Sequence, residues 1–105
     1  AGAASDAMLQ ALRNLGGSDA RSLHAALSAG AKSDTAMAAA MESLRASLQR
    51  RAVRESDPVL AGDWAEAALD VMRLDSEARA LNQDRAQTIA AALSRVSRLA
   101  RPGAS

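Results

Sequence analysis

The chain has no cysteine, phenylalanine or tyrosine, and only one tryptophan, one histidine and one lysine in 105 residues. Without cysteine there are no disulfides, thiolate metal centres, iron–sulfur clusters or cysteine nucleophiles. With one histidine, any imidazole chemistry must use His24. Four Val, one Ile, two Thr and a single aromatic are too few of the residues that fill pleated surfaces, so a sheet protein is excluded. The longest uninterrupted apolar run, Ala36 to Met41, is far too short to span a bilayer. Thirteen Lys+Arg against twelve Asp+Glu leave a net charge of +1, so no global field points to nucleic acid or a membrane surface.

What is present is alanine and leucine, 28 and 13 residues respectively. Alanine is the best helix former, and this composition is typical of long helices and coiled coils. Only 23 side chains are large and apolar (Leu, Val, Met, Ile, Trp), few for a chain of this length. A second subunit supplying more apolar surface is therefore expected. Arg outnumbers Lys twelve to one, which reads as coding bias in a GC-rich bacterial genome.

Glycine and proline divide the chain. Ser5 can cap a first helix over about 6–15 that carries Met8, Leu12 and Leu15 and ends at Gly16. A second, about 19–29, follows Ser18, carries Ala20, Leu23 and Leu27, and ends at Gly30. A third, about 34–55, takes Ser33 as N-cap and places Met37, Met41, Leu44 and Leu48 at 4-3-4 spacing, a narrow seam of coiled-coil type. Asp57-Pro58 restarts the helix, an acid N-cap before a proline at the first helical position. Asp63 and Glu66 around Trp64 offer a second start of capping-box type. From there Leu60, Trp64, Ala67, Val71, Leu74, Ala78 and Leu81 keep the spacing, Arg85 interrupts it, and Ile89, Leu93, Val96 and Ala100 resume it. A continuous 58–101 helix with an irregularity at Asn82-Gln83-Asp84 is expected; the other reading breaks it in two there.

The expected fold is all-α: one helical domain over 1–105, a four- or five-helix bundle with two short N-terminal helices packed on a long helical hairpin. Residues 1–5 read as a leader or scar and 102–105 as a flexible tail. No targeting segment is legible. The cytoplasm is the default compartment, with secretion lacking a visible signal as the other reading.

Charge is segregated along the chain. Residues 36–55 carry +2, 56–84 carry −5 and 85–105 carry +4. An antiparallel hairpin would set the Arg-rich end of 34–55 against the Asp-rich start of 58–81, guiding pairing direction more than stability. Arg95, Arg98 and Arg101 lie one turn apart and form the best stripe for an anionic partner.

No residue set carries chemistry. His24 is followed by Ala25-Ala26-Leu27-Ser28, not by the Lys-Gly pair of histidine phosphotransfer domains, and its helix neighbours at three and four positions include no carboxylate. Asp70 with Asp75 or Glu66 reads as a solvated acidic face rather than an acid–base pair. Gly16-Gly17-Ser18 lacks the strand and lysine of a phosphate loop. Asp57-Pro58-Val59-Leu60 loosely resembles the proline-containing turn of type III secretion needle and inner-rod subunits, over four residues only. Small secreted hairpins with a central Trp-x-Gly turn differ, because here Gly62 precedes Trp64. Neither stretch assigns a family.

The expected function is accordingly non-catalytic, with no catalytic, cofactor or metal residues. The chain reads as a helical interaction or assembly module that pairs with itself (dimer or larger) or with another helical protein, a secretion or scaffold component being one such role. Trp64, Val71, Leu74 and Leu81 are the expected contact residues. The alternative is a small nucleic-acid-binding protein that uses Arg95, Arg98 and Arg101 on its last helix.

Overall fold

Asp57 and Pro58 begin the longest helix as their chemistry dictates. The Asp57 carboxylate accepts a hydrogen bond from the Val59 N–H at 3.1 Å, and Pro58, which has no N–H to satisfy, occupies the first helical position. In this computed structural model, which describes residues 2–14 and 20–99, that helix is α4, Pro58–Leu81. It runs straight through Gly62, so the second start at Asp63 and Glu66 is not used. With the helix already nucleated upstream, Asp63 sits inside the hydrogen-bond ladder instead of heading it.

The continuous 58–101 helix does not form. Asn82 adopts the left-handed conformation (φ 52°, ψ 47°), and the Gln83 N–H closes the end of α4 on the Ala78 carbonyl at 2.9 Å. Asparagine is among the few non-glycine residues that enter this region readily. Asp84 then opens α5, Arg85–Leu99, by accepting from the Ala86 N–H at 3.1 Å. Arg85, the residue that interrupts the apolar stripe, is the first residue of α5. Its Nε donates to the Ala31 carbonyl at 3.0 Å and its Nη1 meets Asp34 at 2.8 Å.

The remaining helices follow the punctuation more closely. In α3, Asp34–Arg54, Ser33 caps the N-terminus by accepting from the Ala36 N–H at 3.0 Å. Helix α1, Ala3–Arg13, starts earlier than expected, with Gly2 at its N-cap. Ser5 therefore lies inside α1, where its hydroxyl donates to the Ala39 carbonyl of α3 at 3.3 Å. Helix α2 covers Ala20–Gly30. The end read at Gly16 and the start read at Ser18 fall outside the described residues.

Helices α3 and α4 form the antiparallel hairpin at the centre, and their contact is the most extensive in the fold. Helix α1 lies along α3, and α2 packs against α1, α3 and α5. The break at Asn82 turns α5 back along α4, which brings Ile89, Leu93 and Val96 into one core with Met8, Met41, Leu44, Leu48, Trp64 and Val71. Each such side chain contributes roughly 1.5–3 kcal/mol by leaving water. An unbroken helix would have left its second half without a neighbour; the turn at 82–84 removes that need.

No ion pair joins α3 to α4 among the described residues. At the Arg-rich end of the hairpin, Arg51 instead lies over the Trp64 ring, 4.4 Å from its centroid. The cross-helix pairs run from α5, Arg85 to Asp34 and Arg95 to Asp70. Among the described residues no helix is long and apolar enough to cross a membrane.

Candidate interaction surfaces

Helix α4 carries two apolar stripes, and the fold consumes one of them. Trp64 and Val71 are 2% and 1% exposed, and Ala67, Ala68 and Ala78 are buried with them. Leu74 is half-buried against the same core, and only Leu81, at 66%, faces solvent. The expected contact set Trp64, Val71, Leu74 and Leu81 is thus mainly core, because α3 and the returning α5 already cover it.

The other stripe is exposed. Pro58, Gly62, Ala65, Leu69, Met72 and Ser76 recur at spacings of 4, 3, 4, 3 and 4, and all six face solvent. Leu69 is 58% and Met72 51% exposed. None of the six is charged, and at Gly62 a side chain would meet nothing within 4 Å. The row has the 4-3 spacing of a helix seam, with Leu69 and Met72 as its two large apolar side chains, on a helix that already uses its other side for the core. The spacing is readable in the sequence, but the larger residues of the core stripe dominate it.

One flank of this seam is formed by Val59, Glu66, Arg73 and Ala80, seven residues apart and all exposed. Ala61 and Ala68 lie on the other flank, toward the body of the protein. Arg73 pairs with Asp70 at 3.0 Å, and Asp70 also holds Arg95 at 2.8 Å, so one carboxylate is shared between two guanidinium groups. Glu66 has no ion pair among the described residues.

The C-terminal arginines do not form a free stripe. Arg85 and Arg95 are engaged as above, and Arg98 is exposed beside a shallow groove that also holds Asp70 and Glu77. Arg101 lies outside the described residues. A more basic site is built where α1 and α3 end together. There Arg13 joins Arg50, Arg51 and Arg54 around Leu9, Leu12 and Ser47, lining a groove of about 410 Å³ with no carboxylate in its wall. Arg50 donates to Ser47 Oγ at 3.0 Å, and Arg51 is the residue stacked on Trp64. Farther along α3, Arg45 pairs with Glu42 at 2.6 Å, and its hydrogen bond holds the Glu42 carboxyl below the ordinary glutamate value.

His24 is an exposed residue of α2 whose Nε2 lies 3.4 Å from Ser28 Oγ. Among the described residues no group of three or more His, Cys, Asp or Glu side chains comes together in a way that could hold a metal ion. Compared with protein-family models, curated proteins and solved structures, the chain has no match.

Proposed function

We propose that the chain is a non-catalytic helical assembly module that pairs with a second copy of itself through the exposed seam of α4. The observation that carries this reading is the uncharged 58–76 stripe, with Leu69 and Met72 left in solvent at its centre. Isolated exposed apolar residues are ordinary, whereas two adjacent large ones, Leu69 and Met72, in an uncharged row at 4-3 spacing suit contact with a second helix. Trp64 and Val71 then serve assembly indirectly, by fixing α4 on the bundle so that the opposite stripe faces outward.

Leu69→Asp places a charge at the middle of the seam and touches none of the core. Light scattering should give an associated species for the unmodified chain and the single-chain mass for the variant, with equal helicity by circular dichroism. An identical mass for both proteins would refute the seam as the site of association.

One observation favours a second reading, binding of nucleic acid. It is the groove of Arg13, Arg50, Arg51 and Arg54, in place of the stripe at Arg95, Arg98 and Arg101. Phosphate contacts there would show as retention on DNA or RNA that falls steeply with salt and weakens in Arg50→Ala and Arg54→Ala. Salt-independent or absent retention would dismiss it.

A further inference from the structure

We infer that the two copies meet through α4 in antiparallel orientation, about a two-fold axis just past Leu69, with Glu66 of each opposite the partner's Arg73. This rests on the assembly reading above and adds its geometry, and from the geometry a stoichiometry.

Two neighbouring helices related by a two-fold axis can run parallel or antiparallel, and the flanks of the seam distinguish the two. In a parallel pair the axis lies along the helices, and the flank of Val59, Glu66, Arg73 and Ala80 faces the opposite flank of the second helix. Glu66 and Arg73 would then face alanines, Ala61 and Ala68 of the other copy, and neither charge finds a partner. In an antiparallel pair the axis is perpendicular to the helices, and each flank faces its own counterpart with the order reversed. About an axis just past Leu69, midway between positions 66 and 73, Glu66 falls opposite the partner's Arg73, and Arg73 opposite the partner's Glu66. Val59 falls opposite the partner's Ala80, an apolar pair.

The charge state of these residues fits that role. Glu66 is exposed and has no ion pair among the described residues. Arg73 is 65% exposed and shares Asp70 with Arg95, so this three-residue group carries a net positive charge. Such pairs at the rim of an interface select orientation and partner more than they add affinity.

Side-chain size along the seam points the same way. After Pro58, the small residues Gly62 and Ala65 lie on one side of Leu69, and Met72 and Ser76 on the other. A parallel pair stacks Gly62 on Gly62 and Met72 on Met72, leaving a gap at one end and bulk at the other. The antiparallel pair sets Ala65 near the partner's Met72 and Gly62 near the partner's Ser76, which levels the packing. Because the same patch is used on both copies, the contact closes on itself. The product is a dimer and not an open filament.

The absence of cysteine makes the orientation directly readable. Gly62→Cys, Leu69→Cys and Ser76→Cys each introduce the only thiol, at exposed positions. Under mild oxidation, Leu69→Cys should cross-link to itself. An equal mixture of Gly62→Cys and Ser76→Cys should cross-link at least roughly tenfold faster than either variant alone, given the distance limits on disulfide formation. In parallel, Glu66→Arg should weaken association by roughly tenfold, and Glu66→Arg with Arg73→Glu should restore it. Gly62→Cys linking to itself as fast as the mixture, or a double charge reversal as weak as the single one, would overturn the antiparallel arrangement while leaving self-association standing. An unmodified chain that stays single would overturn both.

Discussion

Gly30 at the end of α2 lies directly against Ile89 of α5: a Cβ on Gly30 would sit 2.2 Å from Ile89 Cδ1 and 3.7 Å from the Ala40 Cβ. The residue that marks the end of a helix in the sequence is thus also a point where α2 packs on the returning α5 with no room for a Cβ. Gly30→Ala should therefore destabilise the fold by about 1–3 kcal/mol despite the better helix propensity of alanine. Ile89→Val removes the clashing methyl. The double variant should recover part of the loss, a non-additivity that chemical denaturation of the four proteins would reveal.

The turn that makes the bundle possible should be equally sensitive. Asn82→Gly keeps the left-handed conformation accessible and should leave the melting temperature nearly unchanged. Asn82→Ala should cost about 1–2 kcal/mol, since a Cβ without a polar group pays the full penalty there. Arg85→Ala removes the bond to the Ala31 carbonyl and should loosen the start of α5, raising amide exchange there before the rest of the helix.

Trp64 tests the packing near the turn of the hairpin. It is the largest buried side chain, and among the described residues its indole N–H is buried without a hydrogen-bond acceptor. Trp64→Ala should cost about 3–5 kcal/mol. Trp64→Phe should cost distinctly less, because the lost volume is partly offset by removal of an unsatisfied donor. Equal losses by thermal denaturation would contradict that view of the N–H.

The pair in the middle of α3 makes a pH prediction. The Arg45 hydrogen bond, and secondarily its charge, lowers the Glu42 pKa in the folded state. A carboxyl with a depressed folded pKa contributes stability above its unfolded value, and that contribution is lost as pH falls through the folded one. Glu42→Gln should thus be slightly less stable than the parent at neutral pH and equal to it in strong acid. The gap should narrow with added salt, because the pair is on the surface.

Much of this fold was legible because its signals are local. Ser33, Asp57 and Pro58 act where their side-chain chemistry places them, and the 4-3-4 row from Met37 to Leu48 is the buried face of α3. The break at 82–84 was harder to read, because Asn82 and Asp84 fit either a stutter or a turn. What decides between them is tertiary: Arg85 bonding to Ala31 and Asp34, residues more than fifty positions away. The exposed row of α4 is hard to see in the sequence for a related reason. Trp64 and Val71 are the bulkiest residues of α4, and bulk predicts burial without saying in which interface. The packing of α3 and the returning α5 puts them in the core and leaves Leu69 and Met72 outside.

Sedimentation equilibrium of the unmodified protein over a wide concentration range is the sharpest test of association through α4. A dimer closed through the α4 seam gives a mass that rises to twice 10.8 kDa and stops there. A mass of 10.8 kDa at every concentration would contradict it.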